Sequence, residues 1–310
     1  MTMLAGSAAG LGRRHTRQLA PSVSHGLGRW LRALGLTFVA VAFSVPLLWL
    51  LLAPTKTEAE LGSLPSLAFG SFQNVGAAWT NLMSFSDGIL LTWLANSVFY
   101  SVAGVVIAVV ASIPAGYALA MFEFRGRSTI VVLTLIGMIL PTAATVIPIY
   151  QELALVGLTN TFWAVILPSG FFPFGVYLTF LHFQTALPRE LVEAARMDGA
   201  SDLRIFVALG LPLARPAAAL VTFFAFVATW NNYFLPYVML VNDRLYPLQL
   251  GIATLLNSAP VINSSNQSDL PIHKPEAALA ALVAIVPIAI FFFVFQRAIG
   301  TGMLSGAVKG

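Results

Sequence analysis

The sequence predicts an all-α integral membrane protein with six transmembrane helices, on three observations. Hydrophobic residues make up 58% of the 310 positions and charged residues only 9%, against roughly 25% charged in soluble domains. Six apolar runs reach the ~20 residues that a helix needs to cross a hydrocarbon core. The basic residues, finally, gather on alternate inter-run segments. Cysteine is absent from the chain, which excludes a disulfide framework, a thiol nucleophile and a cysteine-based metal site.

The elements follow in chain order. Residues 1–32 form a flexible basic tail, rich in Gly, Ser and Ala and carrying Arg13, Arg14, Arg17, Arg29 and Arg32. The first apolar run, Ala33–Ala53, exceeds the roughly 7–15 residues of a signal-peptide core, so it reads as an uncleaved span. Residues 54–90 read as a polar loop with Lys56, Glu58, Glu60 and Asp87. The second span is Leu94–Phe122, and a tight turn, Glu123–Arg127, leads to the third, Thr129–Tyr150. The fourth is Thr161–Phe183, the fifth Pro216–Val241 and the sixth Ala277–Ala298. A polar segment, Asn242–Glu276, with the run Asn263–Ser268, separates the last two. Prolines 114, 141, 148, 168, 173, 236 and 287 fall inside spans. Each removes a ladder hydrogen bond, and together they predict bent helices around a pathway that satisfies the freed carbonyls.

Six spans put both termini on one side, and charge chooses which. Thirteen of the sixteen basic residues lie on the terminal side, against Lys56, Arg244 and Lys274 opposite. The positive-inside rule makes the thirteen cytoplasmic. The net charge of +4 thus reports topology and gives no reason to expect a nucleic-acid partner.

The spans also exclude chemistry. Ion-coupled transporters carry ionisable residues within the membrane, whereas here Glu152 and His182 stand at span ends. No phosphate-binding G-x-x-x-x-G-K-[ST] loop, H-E-x-x-H or G-x-S-x-G motif occurs, and the four histidines lack ligand spacing. The expectation is a chain with no catalytic residue, no metal ligand and no cofactor of its own, driven from outside the bundle.

The segment Gln184–Arg215 is charge-rich and reads as helix, glycine, helix. Pro188 suits a helix start, Glu190 complements its positive end, and Gly199 stops it. Ser201 caps a second helix with Asp202 in its first turn, and Pro212 and Pro216 delimit the return to the membrane. Leu191, Ala194 or Ala195, and Met197 give the first helix a thin apolar stripe. Mixed charge and small residues suit a protein-docking helix better than one lying among headgroups.

Here the residues acquire a family likeness. Glu193-Ala194-Ala195, three residues, Gly199, nine residues, then Leu209-Gly210-Leu211-Pro212 resembles the EAA loop of binding-protein-dependent ABC import permeases. Leu209 stands where that family has isoleucine. Asp198 and the ending Leu304–Gly310 resemble the carbohydrate (MalG-like) branch, and the similarity extends over residues 33–310, including Trp230–Phe234. The resemblance implies a permease transmembrane domain at 33–310, with a cytoplasmic helix-turn-helix coupling loop at 188–212 between spans four and five. The coupling residues would be Glu193, Ala194, Ala195, Asp198, Gly199, Leu209, Leu211 and Pro212. It further implies a homologous second permease subunit, a dimer of cytosolic ATPase subunits holding ATP and Mg, and an extracytoplasmic solute-binding protein. The setting would be a bacterial or archaeal cytoplasmic membrane, with both termini inside and a carbohydrate-like solute as cargo.

For the solute pathway the candidates are Trp230, Asn231, Asn232 and Tyr233, since aromatic faces pack on sugar C–H surfaces and amides exchange hydrogen bonds with hydroxyls. Trp and Tyr also mark membrane interfaces and Asn bridges helices, so both readings stand at this level. Asn96, Tyr100, Thr142, Thr145 and Tyr177 are secondary candidates. Two other classes of function remain open to the sequence: a self-sufficient secondary transporter or channel, and a membrane scaffold without transport.

Overall fold

A computed structural model of the protein describes residues 24–260 and 270–304, and all regular structure within them is helical. Most of the basic tail, the run Asn263–Ser268 and the ending beyond Leu304 lie outside the described residues. The chain divides into two compact units, residues 1–49 and 50–310. Helix α1 (Ser24–Leu52) occupies the described part of the first and contains Pro46 without interruption. Between residues 28 and 48 its Leu, Val and Phe side chains are exposed, Phe38 and Phe43 among them, as an apolar helix in lipid requires.

The second unit begins with a segment expected to be loop, and the structure corrects that reading. A 3₁₀ turn, Ala53–Thr55, leads to α2 (Glu58–Ser63), then α3 (Phe72–Ser84). Thr57 and Glu60 form a reciprocal capping box at the start of α2. Lys56 is only 1% exposed, and its ammonium donates to the carbonyls of Pro65 at 2.9 Å and Ser66 at 3.0 Å. Burial of a cation is tolerated because its protons are matched to acceptors. Gly70 passes so close to the Thr55 carbonyl that any Cβ there would collide with it. Ser86 and Asp87 adopt positive φ, and Gly88 ends this turn at φ +79°. The next helix therefore starts at residue 89, earlier than the predicted Leu94.

That helix, α4 (Ile89–Met121), is the axis of the unit. Its 33 residues extend about 50 Å at 1.5 Å per residue, well beyond a ~30 Å hydrocarbon core. There follow α5 (Arg127–Ile139), α6 (Thr142–Leu155), α7 (Phe162–Ile166), a 3₁₀ turn Leu167–Gly170, and α8 (Pro173–Ala186). Next come α9 (Arg189–Met197), α10 (Asp202–Ile205), a π-helical turn Phe206–Gly210, and α11 (Leu211–Leu213). The chain closes with α12 (Arg215–Trp230), α13 (Phe234–Met239), α14 (Leu248–Ser258) and α15 (Lys274–Leu304). Among the described residues, four helical stretches are long and apolar enough to cross a membrane, and up to six if each of two bent pairs counts as one crossing.

Those bends have identifiable causes. Between α5 and α6 the axis turns by 108°, because Leu140 and Pro141 are extended: a residue before proline is driven out of the helical region. The expected third span is thus two helices at a sharp angle. The chain turns by 72° between the 202–213 stretch and α12. Prolines 114, 148 and 287, by contrast, lie inside unbroken helices. Expected span five also stops early, at Trp230, before resuming as α13.

Small residues let α8 and α12 approach α4. A Cβ on Gly116 would strike Thr179, and one on Gly104 would strike Thr229 and Ser169. The fully buried Thr179 hydroxyl donates across to the Ser112 carbonyl at 2.8 Å. Within the expected outer loop 242–276, residues 243–258 prove structured. One face of α4 holds them by five hydrogen bonds: Trp93 to Asp243, Asn96 to both Arg244 and Tyr246, Tyr100 to Leu245, and Ser97 accepting from Leu248. Leu248, Leu250 and Leu255 of α14 are buried behind this seam. At the start of α15, Glu276 is buried on Asn81 and the His273 amide, and Lys274 pairs with Glu58 at 2.8 Å.

Candidate functional site

Two features lie along α4: a short helix pair at its C-terminal end, and a cleft whose Ser169 and Thr229 stand beside Gly104 near its middle. The helix pair grows from its own local chemistry. Pro188 is the N-cap of α9 and Glu190 lies in its first turn. The helix ends in a Schellman arrangement: the Ala200 amide reaches the Ala195 carbonyl at 3.0 Å and the Gly199 amide reaches that of Arg196 at 3.0 Å. Gly199 supplies the left-handed residue this closure needs, at φ +80° with open space around it. Ser201 then caps α10 by accepting from the Arg204 amide.

Charge and ring contacts lock the pair to the end of α4. Arg196 binds Asp202 at 2.9 Å and lies over the Phe122 ring. Arg189 binds Glu123 at 2.7 Å, and that bond, with the Arg189 charge, holds the Glu123 carboxyl below its usual range. Tyr117 packs edge-on against Phe183 and tilted against Phe206. The helix turns Val192, 3% exposed, and the half-buried Ala195 inward, whereas Leu191 and Met197 of the apolar stripe are 52% and 89% exposed.

The other predicted coupling residues divide in the same way. Glu193, Ala194 and Asp198 are exposed, with Asp198 as the C-cap of α9. Leu209, within the π turn, packs inward, while Leu211 and Pro212 are exposed on α11. An acidic and apolar surface therefore faces away from the bundle.

The cluster at residues 230–233 is used otherwise. Trp230 is 2% exposed, donates its indole N–H to the Ala284 carbonyl at 3.0 Å, and stacks on Phe226. It joins α12 to α15 and is not among the residues that line the cleft described below. Asn231 is exposed but donates to its own helix at Val227. Tyr233 stacks on Tyr237. Only Asn232 reaches the cleft. Asn96 and Tyr100 belong to the α4 seam already described, and Tyr177 packs in the cluster around Phe183.

The cleft measures about 1040 Å³ and lies among α5, α6, the 167–173 turn, α12 and α13. Its walls are mostly apolar, with Thr142, Thr145, Ser169, Thr229, Asn232 and Glu152 as polar members. Of the sequence candidates it unites Thr142, Thr145 and Asn232, and it adds Ser169, Thr229 and Glu152. Such a lining, apolar with a few convergent polar groups, is that of a small-molecule site. The bend at Pro141 creates it, by swinging α6 across the end of α5.

Comparison with known proteins agrees with this geometry. Residues 112–305 match the family model described as binding-protein-dependent transport system inner membrane component. The arabinooligosaccharides transport system permease protein AraQ of Halalkalibacterium halodurans is 33% identical over 286 residues, spanning 91% of this chain and 96% of that one. The diacetylchitobiose uptake system permease protein NgcG of Streptomyces coelicolor is 32% identical, over 87% and 85% of the two chains. Among solved structures, a bacterial ABC transporter involved in alginate import superposes with TM-score 0.74 at 25% identity, over 89% of this chain and 98% of that one. Bent apolar helices around a cleft, an outward helix pair at one end and these matches together make the chain a member of the family of binding-protein-dependent transport system inner membrane components.

Proposed function

We propose that the chain is one of two homologous permease subunits in an ATP-driven importer, and that it forms half of the pathway for a carbohydrate-like solute. The permease relatives named for arabinooligosaccharide transport and diacetylchitobiose uptake support the solute class. The cleft, with five hydroxyl or amide side chains and one carboxylate, suits hydroxylated cargo. ATP and Mg would be held by a pair of cytosolic ATPase subunits, with no catalysis or cofactor on this chain, and an extracytoplasmic solute-binding protein would deliver the solute. Each bent helix pair would cross once, giving six crossings of a bacterial cytoplasmic membrane. The excess of arginine on the 125–127 turn, the 189–215 loop and the tail then puts both termini in the cytoplasm.

One observation carries the coupling half of this reading. On α9, Glu193, Ala194, Leu191 and Met197 are exposed while the helix is pinned to the bundle by Val192, Arg189 and Arg196. A helix so anchored, with an apolar and acidic outer surface, can be pushed as a rigid lever by a partner that grips that surface. Glu193→Lys reverses the charge without touching the packed face. ATPase co-purification and ATP-driven uptake should be lost while the amount of inserted protein stays unchanged. Normal uptake in that variant would refute the docking surface.

A further inference from the structure

The cleft carries a specific electrostatic and hydrogen-bonding sign. Among the described residues lining it, Glu152 is the only charged one, with no Lys, Arg or His. Glu152 is exposed and has no ion-pair or hydrogen-bond partner among the described residues. It also sits in the last turn of α6, where no basic residue offsets it. A carboxylate at the negative end of a helix dipole opposes the favourable arrangement, so stability does not explain it, and the two negative contributions add at this mouth of the cleft.

The hydroxyls point the same way. Thr145 donates to the Thr142 carbonyl at 2.9 Å, Ser169 to Val165 at 3.2 Å and Thr229 to Ala225 at 2.9 Å. With its proton given to its own helix, each hydroxyl offers the cleft only lone pairs. The Asn232 amide and the Thr142 hydroxyl are the remaining donors. An anionic solute needs donors or cations to replace its water, and this cleft supplies few; neutral polyols and ammonium groups bring donors of their own.

We infer that this cleft passes hydroxyl-rich neutral or cation-bearing solutes and disfavours anionic ones such as uronates, sulfonates or sugar phosphates, with Glu152 as the residue that sets the discrimination. The inference rests on the pathway reading above and names the charge class that the pathway accepts.

Because the native chain has no cysteine, a single introduced thiol can report the local potential. Ile149→Cys lies one helical turn before Glu152, and Ala228→Cys lies on the facing wall; both positions line the cleft. In the assembled importer in membrane vesicles, each thiol would be titrated with methanethiosulfonates bearing a trimethylammonium or a sulfonate group. Modification would be read as mass added to this chain. The cationic reagent should react faster than its anionic counterpart, after correction for their rates with a free thiol, by on the order of fivefold at residue 149. Adding Glu152→Gln should bring the ratio close to one, and Glu152→Asp should preserve it. A ratio near one with Glu152 present, or one unchanged by Glu152→Gln, overturns the charge discrimination while leaving the pathway intact. Failure of both reagents to reach either thiol overturns the pathway reading as well.

Discussion

The helix pair at 189–213 and the break at 231–233 handle their polar groups in opposite ways. In the first, the backbone closes on itself: Gly199 and Ala200 return their amides to α9, and Ser201 caps α10. Glu193, Ala194 and Met197 are thereby released to the outside. In the second, the side chains serve the fold. The Asn231 amide bonds Val227, Asn232 accepts from the Leu235 amide at 3.4 Å, and Trp230 is sealed between two helices. A surface available to a partner arises where the backbone satisfies itself, whereas polar side chains at a helix break are first called on to complete the break.

Perturbation of both regions tests this contrast. The largest effect belongs to Trp230→Ala, which removes a buried ring and the bond to Ala284. The cost should be about 3–5 kcal/mol, seen as a lower unfolding temperature in detergent and reduced yield. A Trp230→Ala protein of normal stability and altered solute specificity would instead return this residue to the pathway. Next comes Gly199→Val. Its neighbourhood has room for the side chain, so only the left-handed backbone resists, at roughly 1–2 kcal/mol. Stimulated ATPase activity should fall because α9 loses its exit geometry, while Gly199→Asn should retain most of it. Equal activity in all three proteins would separate coupling from that turn.

Smaller effects sharpen the comparison. Arg196→Ala breaks an ion pair whose partners are 42% and 54% exposed, worth about 0.2–1 kcal/mol. Coupling should weaken more than thermal stability does, since the pair orients α9 rather than filling a core. Asn231→Ala, at an exposed position, should change stability by less than about 0.5 kcal/mol and leave uptake kinetics unaltered. A raised KM for uptake there would show that the break contributes to the pathway after all.

What the sequence revealed follows the same division. The spacing of Glu193, Gly199 and Pro212 encodes backbone geometry, and the structure has a helix end at Gly199 at φ +80°. The angle at Pro141 was legible as a bend, though not its 108°, which depends on how α6 packs against α13. Composition alone reads residues 54–90 and the described part of 242–276 as loops, where the structure has helices. Finer signals were present there: Thr57 and Glu60 at capping-box spacing, Val75, Ala78, Trp79 and Leu82 on one helical face, and Pro247 before an apolar run. Trp93, Asn96, Ser97 and Tyr100 also recur at helical spacing, but their partners are backbone groups some 150 positions away. No local pattern announces such partners.

The π-helical turn at Phe206–Gly210 has a consequence for chain-length variation. A π turn holds one residue more than the α-helical turn it replaces. The nine residues between Gly199 and Leu209 therefore run into a turn that already holds one surplus residue. Deleting a single residue from 206–210 would let ordinary i→i−4 bonding resume and rotate everything before it by about 100° about the helix axis. Leu191 and Met197 would then sweep toward a different bearing relative to α12, although no residue on the outer surface had changed. Phase, set by one surplus peptide unit, is thus an inherited property of this loop.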